Sequence, residues 1–402
     1  MIDFTLPPDL EDIQRRVRAF VNDEVLPREV QTEDEDWDAT LNELRSKARA
    51  AGLWNPHLGA EYGGLGLGAL GMALVSQECG VSALASLSLN AMAPDEGNMH
   101  LLEHAGTEEQ KNRYLKPMAD GAIRSCFAMT EKEVASSDPT NLRTTAVKTT
   151  DGWVLNGEKW FITGAGGAAF AIVVAQTNPD AGRDGYSLFL VDTDNPGWHE
   201  IREIEVMGPE TKLGGHFEIH LKDCVVGDEA VLGEVGQGFA LSQVRLGPAR
   251  LAHAMRWIGI AQRSLDMAAK RSMEREAFGK QLARHQTVSN WLADSAIQLY
   301  AARLMVLHSA WLIETGRPFK QEVSIAKVYI SEALNDIVDR CLQIHGSLGY
   351  SKDLPIEAFY RAGRAARIYD GASEVHRMVI ARNVIKASLQ DGTTVAATGG
   401  LA

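Results

Sequence analysis

The residues with the clearest chemical potential are an acidic residue and a glycine near the end of the chain. Asp370 and Gly371 lie in the run Arg-Ile-Tyr-Asp-Gly-Ala-Ser-Glu-Val-His-Arg at positions 367–377. Because glycine has no side chain, a ligand can approach the neighbouring carboxylate closely, and a carboxylate so placed can remove a proton. The structural alternative is that Asp370 caps the helix that follows it.

Four further motifs favour the catalytic interpretation. They are Phe127–Glu131, Lys159–Thr163, Arg275–Gly279 and Gln343–Gly346. In this order and at these intervals, and together with Asp370, they resemble the acyl-CoA dehydrogenase family of flavoproteins over nearly all of residues 1–388. The resemblance implies an acyl-CoA substrate, FAD as cofactor and Asp370 as the catalytic base, where most members have glutamate.

The reaction that this resemblance implies gives 2-enoyl-CoA. Asp370 would remove the α-proton of an acyl thioester while the β-hydrogen leaves as hydride to the flavin. We expect such a base to be desolvated and its pKa to be raised, so that it can accept a proton from carbon near neutral pH. Because aspartate is one methylene shorter than glutamate, the backbone or the substrate must shift by about 1 Å to keep the base within reach.

The first two motifs are predicted to line the flavin. Taken alone, Phe127–Glu131 would be a strand end with a loop, and Lys159–Thr163 a strand with a core aromatic residue. The resemblance implies instead that hydroxyl groups and aromatic rings contact the isoalloxazine. The implied cofactor residues are Phe127, Met129, Thr130, Phe161 and Thr163, and Ser137 is assigned to the flavin and to the pantetheine of the substrate.

The remaining motifs are predicted to bind the dinucleotide part of FAD. Arg275 is implied to reach the pyrophosphate of a neighbouring subunit, since a guanidinium matches phosphate oxygens in pairs. A homodimer or homotetramer is therefore expected. Ser347 and Ala372 depart from the family pattern, in which a second glycine and a threonine are usual. The implied dinucleotide residues are Arg275, Phe278, Gln286, Gln343, Gly346, Ser373 and Glu374.

The substrate residues implied by the resemblance surround the base. Arg250, in register with Gly259–Arg263, matches an arginine that orients the nucleotide portion of acyl-CoA, although a lone helical arginine is usually only an exposed charge. The implied substrate residues are Ser137, Arg250, Tyr369 and Gly371.

Several segments are similar to one subgroup, in which the dehydrogenase is fused to a kinase-like domain and handles 4-hydroxyacyl-CoA. These segments are Ala93–Met99, Glu131–Asp138, Gly214–His220 and Arg245–Arg256. The main hypothesis is an acyl-CoA dehydrogenase that passes electrons to an electron-transfer flavoprotein. The alternative is flavin-dependent phosphate elimination from, or isomerisation of, 4-phospho-acyl-CoA, with a separate kinase as partner. A flavin-binding scaffold without catalysis and a nitroalkane-oxidising enzyme are weaker alternatives.

Composition limits the classes of partner and location. The net charge of −13 among 402 residues argues against a general nucleic-acid binder, whose affinity depends on clustered lysine and arginine. The cysteines Cys79, Cys126, Cys224 and Cys341 are widely spaced, which predicts buried thiols, a reducing compartment and no metal site. No signal sequence is recognisable, and no stretch approaches the ~18 apolar residues of a membrane span. A cytoplasmic location is expected.

The elements that must position these residues follow the order α, β, α. Apolar residues recur at helical spacing early in the chain, and short strands without intervening helices fill the middle. Long helical patterns return from Gly238, and the last of them predicts a helix over 356–387. Gly164–Ala169 loosely matches a dinucleotide fingerprint, but a strand follows it, so a turn is predicted. The predicted fold class is α+β, acyl-CoA dehydrogenase-like. Its predicted parts are an N-terminal helical domain (1–122), a middle antiparallel β-domain (123–234), a C-terminal four-helix bundle (235–388) and a flexible tail (389–402).

Overall fold

The computed structural model describes residues 5–29, 36–207 and 214–391. The predicted tail at 389–402 falls largely outside the described residues, and its first three residues, 389–391, form the end of the last helix.

The first part of the chain is helical, as predicted. Leu10, Ile13, Val17 and Phe20 are buried along one face of the first helix, because residues three and four apart share a helix face. Thr107 and Gln110 form a capping box at the start of a short helix. The helices are α1 (Pro8–Phe20), α2 (Leu26–Glu29), α3 (Trp37–Ala50), α4 (Ala69–Cys79), α5 (Ala83–Ser88), α6 (Asp95–Ala105), α7 (Glu108–Gln110) and α8 (Lys116–Ala119), with π-helical turns at Val21–Val25 and Lys111–Leu115.

The middle part is one eight-stranded sheet, ordered β6-β7-β3-β2-β4-β5-β8 with β1 added against β4. Most neighbours are antiparallel, but β1 pairs with β4 in parallel, so the sheet is mixed. The strands are β1 (Ser125–Ala128), β2 (Thr145–Thr149), β3 (Gly152–Thr163), β4 (Phe170–Gln176), β5 (Tyr186–Asp192), β6 (Trp198–Glu203), β7 (His216–Val226) and β8 (Val231–Leu232). All four cysteines are free and buried, as predicted.

The last part is a bundle of long helices around an apolar core drawn mainly from three of them. A two-stranded ribbon, β9 (Glu276–Ala277) and β10 (Lys280–Gln281), follows the first helix. The helices are α9 (Gly238–Glu274), α10 (Gln286–Glu314), α11 (Lys320–His345), α12 (Ser347–Tyr350), α13 (Ile356–Ala365) and α14 (Ser373–Asp391). The predicted three-part architecture is confirmed.

One helix prediction is wrong. The apolar pattern predicts a continuous helix over 356–387, but α13 ends at Ala365 and α14 begins only at Ser373. The interruption contains Asp370 and Gly371, whose φ angles of 53° and 97° are incompatible with a right-handed helix. The break therefore places the candidate base in a loop.

Helix α10 is long and apolar enough to cross a membrane by length and composition alone, with a mean hydropathy of 1.3 in its most apolar window. The expectation that no segment approaches this limit is not met. One such helix is weak evidence for a membrane span, because core helices of soluble proteins pass the same test. Leu299, Ala302, Val306 and Ala310 of α10 lie in the core of the bundle.

A buried ion pair fixes the chain just beyond β1. Lys159 on β3 has no exposed side-chain surface, and its Nζ lies 2.9 Å from Glu131 Oε1. The same ammonium donates to the carbonyl oxygens of Met129 at 3.1 Å and Val174 at 2.8 Å. Burial lowers the pKa of Lys159 to about 8, although Glu131 opposes this shift. The pair holds the segment that carries the predicted flavin contacts.

Replacing Lys159 by methionine should destabilise the protein by about 3–5 kcal/mol, because Glu131 would remain buried without its cation. Chemical denaturation of the purified variant measures this loss. Lys148→Met is the matched control, since Lys148 pairs with Asp228 on the exposed side of the same sheet and should cost less than about 1 kcal/mol. Equal losses in the free energy of unfolding for the two variants would contradict a stabilising role for the buried Lys159–Glu131 pair.

Candidate active site

The loop that carries Asp370 is held through its main chain by three basic side chains. Arg250 Nε donates to the carbonyl oxygen of Asp370 at 3.0 Å, and Lys327 Nζ donates to that of Gly371 at 2.5 Å. His376 Nε2 lies 3.3 Å from the same Asp370 oxygen. A Cβ on Gly371 would stand 2.7 Å from His376 Nε2, so only glycine fits here. The loop is thus held by contacts within the protein.

The side chain of Asp370 faces α9. Its Oδ2 atom lies 3.0 Å from His253 Nε2, and 21% of the carboxylate side chain is exposed. Burial alone would raise the pKa of Asp370. The electrostatic interaction and hydrogen bond with His253, together with the charges of Arg245 and Arg250, outweigh burial and lower the pKa well below its usual range. The expectation of a raised pKa is therefore wrong, because it considered burial without these partners.

Two aromatic residues pack around His253. Its ring stacks on Trp257 with centroids 6.0 Å apart and meets the edge of Tyr369 at 4.9 Å. Trp257 Nε1 donates to the hydroxyl oxygen of Tyr369 at 2.9 Å. Tyr369, a predicted substrate residue, thus lies beside the base and supports the imidazole through its ring.

Arg245 connects this region to the first motif. The residue is only 7% exposed, and its guanidinium carbon lies 4.1 Å from the centroid of the Phe127 ring. Its Nε donates to Asn98 Oδ1 at 2.7 Å. Within the described ranges no carboxylate lies at ion-pair distance from Arg245, although Asp370 is close enough to influence its pKa. A buried guanidinium with only neutral acceptors is unusual.

The predicted flavin residues near the ends of β1 and β3 are brought together by a main-chain hydrogen bond. Trp160 N donates to the carbonyl oxygen of Thr130 at 2.7 Å, which joins the two motifs. Phe161 is 44% exposed in a left-handed conformation with φ of 56°. Thr163 Oγ1 lies 2.9 Å from His216 Nδ1. The exposed ring and neighbouring hydroxyl groups fit the edge of a planar ligand such as the isoalloxazine.

Ser137 and the residues after Gly371 differ in their exposure to solvent. Ser137 is exposed in the loop beyond Glu131. Ser373 is fully buried, with its hydroxyl 3.5 Å from that of Ser331, whereas Glu374 is exposed. The buried Ser373 therefore does not present its hydroxyl to solvent, whereas the hydroxyl-bearing Thr130, Ser137 and Thr163 are exposed.

Five of the seven predicted dinucleotide residues lie at the opposite end of the bundle. Arg275 follows the last turn of α9, about 33 Å along the helix axis from His253. Phe278 is 97% exposed with φ of 53°. Gln286 begins α10, and Gln343 and Gly346 lie where α11 ends. Within one chain, these residues are remote from Asp370.

Arg250 contacts the main chain of Asp370, so it stands beside the candidate base. Its contact with the nucleotide portion of acyl-CoA stays a prediction.

Sequence reasoning assigned no role to four residues that surround Asp370. They are Glu96, Arg245, His253 and Lys327. A signal was available for His253, because it follows Arg250 by three residues and therefore lies near it on the helix surface. No comparable signal was available for Glu96, which contacts Arg256 across 160 residues of sequence, or for Lys327, which reaches the loop from α11.

Comparison with known proteins matches the whole architecture. Three domain profiles fit the chain: "Acyl-CoA dehydrogenase, N-terminal domain" over residues 7–122, "middle domain" over 126–224 and "C-terminal domain" over 236–385. "Acyl-CoA dehydrogenase family member 11" of Gallus gallus is 38% identical over 391 residues, which are 92% of this chain and 50% of the relative. The chain therefore spans about half the length of such curated relatives.

Two solved structures share the fold. A candidate acyl-CoA dehydrogenase from Mycobacterium abscessus is 37% identical, with a TM-score of 0.90 over 96% of this chain and 100% of its own. The structure described as "PigA with FAD and proline" is 27% identical, with a TM-score of 0.85 over 97% and 100%. All three domain profiles match in order, and the fold agrees with that of the two solved structures. The chain therefore belongs to the acyl-CoA dehydrogenase family.

Proposed function

We propose that this protein is a FAD-dependent acyl-CoA dehydrogenase in which Asp370 removes the α-proton of an acyl thioester. The observation that carries the proposal is an ionised carboxylate on a fixed loop, beside Arg245 and the Phe127 ring. FAD, when bound, supplies the acceptor for the hydride that leaves the β-carbon. The product is a 2-enoyl-CoA.

The geometry of Asp370 suits proton transfer to one of its two oxygens. Oδ2 is held by His253, whereas Oδ1 makes no hydrogen bond or ion pair with any residue that the structure describes. A base must come within hydrogen-bond reach of the proton it removes. The free oxygen can face the α-carbon while the loop contacts keep the carboxylate from turning away.

The lowered pKa has a chemical consequence. Asp370 is ionised at every physiological pH, so no proton must be lost before reaction. Such a carboxylate is a weak base towards carbon, and the site must therefore stabilise the negative charge that develops on the thioester. The nearby guanidinium groups of Arg245 and Arg250 are suited to that role.

FAD binding is proposed to use two surfaces. Phe127, Met129, Thr130, Phe161 and Thr163 would contact the ring within one chain, with Ser137 near the ring and pantetheine. The dinucleotide residues at the far end of α9 would serve a second copy, because Arg275 lies about 33 Å along the helix axis from His253, which contacts Asp370. They are Arg275, Phe278, Gln286, Gln343 and Gly346. Ser373 and Glu374, at the start of α14 beside Asp370, stay predicted cofactor residues at the opposite end of the bundle.

Exposed apolar residues support a homo-oligomer. Ile297 and Tyr300 of α10 are each 65% exposed, and Phe278 is almost fully exposed. Large apolar groups on one side of a bundle are typical of surfaces that bind another subunit. The proposed assembly is a homodimer or a homotetramer. The proposed electron acceptor is an electron-transfer flavoprotein. A cytoplasmic location stays a prediction.

A second candidate function is elimination of phosphate from a 4-phospho-acyl-CoA supplied by a separate kinase. In this reaction a C–H proton and the phosphate leave the acyl chain, a C=C bond forms, and no net oxidation occurs. The buried Arg245, without a carboxylate partner in the described ranges, favours a substrate that brings its own negative charge. Isomerisation without net oxidation would use the same residues.

Asp370→Asn should retain FAD and lose at least about a thousandfold in kcat, because an amide cannot accept the proton. Anaerobic bleaching of the flavin absorbance by a saturated acyl-CoA measures the step. Asp353→Asn, which changes an exposed aspartate nearby in sequence, is the control and should react like the original protein. Turnover within a few-fold of normal in Asp370→Asn would exclude it as the base.

Arg275→Ala should weaken FAD binding at least about tenfold by removing a guanidinium–phosphate contact. Titration of the apoprotein with FAD measures the affinity, and light scattering gives the oligomeric state. Arg284→Ala removes an exposed charge close in sequence and should leave FAD affinity unchanged. A monomer that still binds FAD tightly would contradict the proposed contribution from a neighbour.

Arg245→Met should distinguish the two candidate reactions. If the substrate carries a phosphate at C4, phosphate release from 4-phosphopentanoyl-CoA should fall roughly ten- to a hundredfold, since a charged hydrogen bond is lost. Flavin bleaching by pentanoyl-CoA should change much less. Arg245→Lys keeps the charge and serves as the control. Equal losses with both substrates would assign Arg245 to the common reaction.

A further inference from the structure

We propose that His253 is a positioning residue that orients the Asp370 carboxylate, and that Arg256 and Glu96 fix its tautomer. The proposal rests on the proposed role of Asp370 as base. It adds three residues, from two helices, that act through Asp370 and do not themselves react.

The four residues form a continuous chain of polar contacts. Asp370 Oδ2 lies 3.0 Å from His253 Nε2, and His253 Nδ1 lies 3.1 Å from Arg256 Nη2. Arg256 Nη1 donates to Glu96 Oε2 at 3.2 Å. The side chains of His253, Arg256 and Glu96 are 18%, 9% and 13% exposed, so solvent offers little competition for these contacts.

The tautomer of His253 follows from the chemistry of arginine. A guanidinium has donors only and stays charged in proteins, so the imidazole atom that faces Arg256 must accept. That atom is Nδ1. A neutral imidazole has a single N–H, which must then be on Nε2 and point at Asp370 Oδ2. His253 is thereby a hydrogen-bond donor to the base.

The same contact keeps His253 neutral. A second proton would place an N–H of His253 against the cationic group of Arg256. Burial lowers the pKa of His253, and Arg256 lowers it further, while Asp370 and Glu96 oppose both effects. The other groups packed on the imidazole, Trp257 and Tyr369, carry no charge near neutral pH. The imidazole therefore acts as a constant donor and not as a pH switch.

The chain of contacts also joins two parts of the fold. Glu96 lies in the first turn of α6, in the N-terminal helices, whereas Arg256 and His253 lie on α9. Residues three apart on a helix are neighbours, so Arg256 reaches back to His253 from the adjacent turn. The orientation of the base consequently depends on how α6 packs against α9.

Fixing one oxygen of Asp370 defines the direction of the other. An aspartate that swung freely would spend less time with Oδ1 facing the α-carbon, and reacting groups must be aligned to within a fraction of an ångström. His253 holds Oδ2 through its hydrogen bond, while Trp257 and Tyr369 hold the imidazole plane. The expected benefit is in kcat and not in substrate affinity.

Two substitutions of His253 separate hydrogen bonding from packing. Glutamine can reproduce both contacts, because its amide nitrogen donates to Asp370 while its oxygen accepts from Arg256. Phenylalanine keeps the ring between the aromatic residues and removes both contacts. His253→Phe should lose roughly ten- to a hundredfold in kcat with little change in KM, and His253→Gln should stay within about fivefold of the original enzyme.

The pH dependence provides a readout that a merely structural role would not change. Asp370 has a lowered pKa, so activity should persist as pH falls well below neutrality. Loss of the His253 donor raises that pKa, and the acid limb of kcat/KM should therefore move to higher pH in His253→Phe but not in His253→Gln. Arg256→Met removes one of the two effects that lower the pKa of His253 and frees Nδ1, so the acid limb of activity should move to higher pH than in the original enzyme.

Each result of these experiments tests a different part of the proposal. Normal kcat and pH profile in His253→Phe would overturn the positioning role, and equal impairment of both His253 variants would overturn the tautomer argument. If His253→Phe does not fold, judged by FAD content and thermal unfolding, the pH profile of Arg256→Met decides alone. Turnover within a few-fold of normal in Asp370→Asn would refute Asp370 as the base, whatever the His253 variants show.

Discussion

The arrangement of this site depends on one electrostatic constraint, which is the burial of a carboxylate among basic side chains at a break between two helices. Arg250, Lys327 and His376 bind the main chain of the loop, and His253 binds the carboxylate itself. A buried charge is tolerated only when it is paired. The same contacts that make the charge tolerable also hold the left-handed backbone of Asp370, which would otherwise be unfavourable by roughly 1 kcal/mol or more.

Much of this architecture could be predicted from the sequence, and the failures have physical causes. Periodic apolar residues fixed the position of α1, and the motif order indicated the three-part fold. The continuous helix over 356–387 was wrong because helical spacing persists on both sides of Asp370, while tertiary contacts impose the break. The predicted increase in the pKa of Asp370 was wrong, because the prediction considered burial but not the basic residues that surround the carboxylate. Glu96 and Lys327 come from other helices, and one sequence does not display such contacts.

The two candidate reactions differ in how they use the surplus of positive charge. Plain acyl-CoA oxidation needs positive groups to stabilise charge that develops on the thioester. Phosphate elimination needs them to bind a charge that the substrate already has. Arg245 lies between the Phe127 ring and the Asp370 region and is suited to either purpose. The shared base and cofactor surface explain how one fold could support both outcomes with few changes in sequence.

Helix α9 sets the distance between two proposed sites, the Asp370 region and the dinucleotide-binding region at Arg275. One end carries Arg250 and His253, which contact Asp370, and the other end leads directly into Arg275 and Phe278. Each added or removed residue in an α-helix turns everything beyond it by about 100° and moves it by about 1.5 Å. A single insertion in the middle of α9 would therefore rotate the two ends out of alignment. This stretch of chain can vary by substitution, but its length is set by the distance and angle between the two sites.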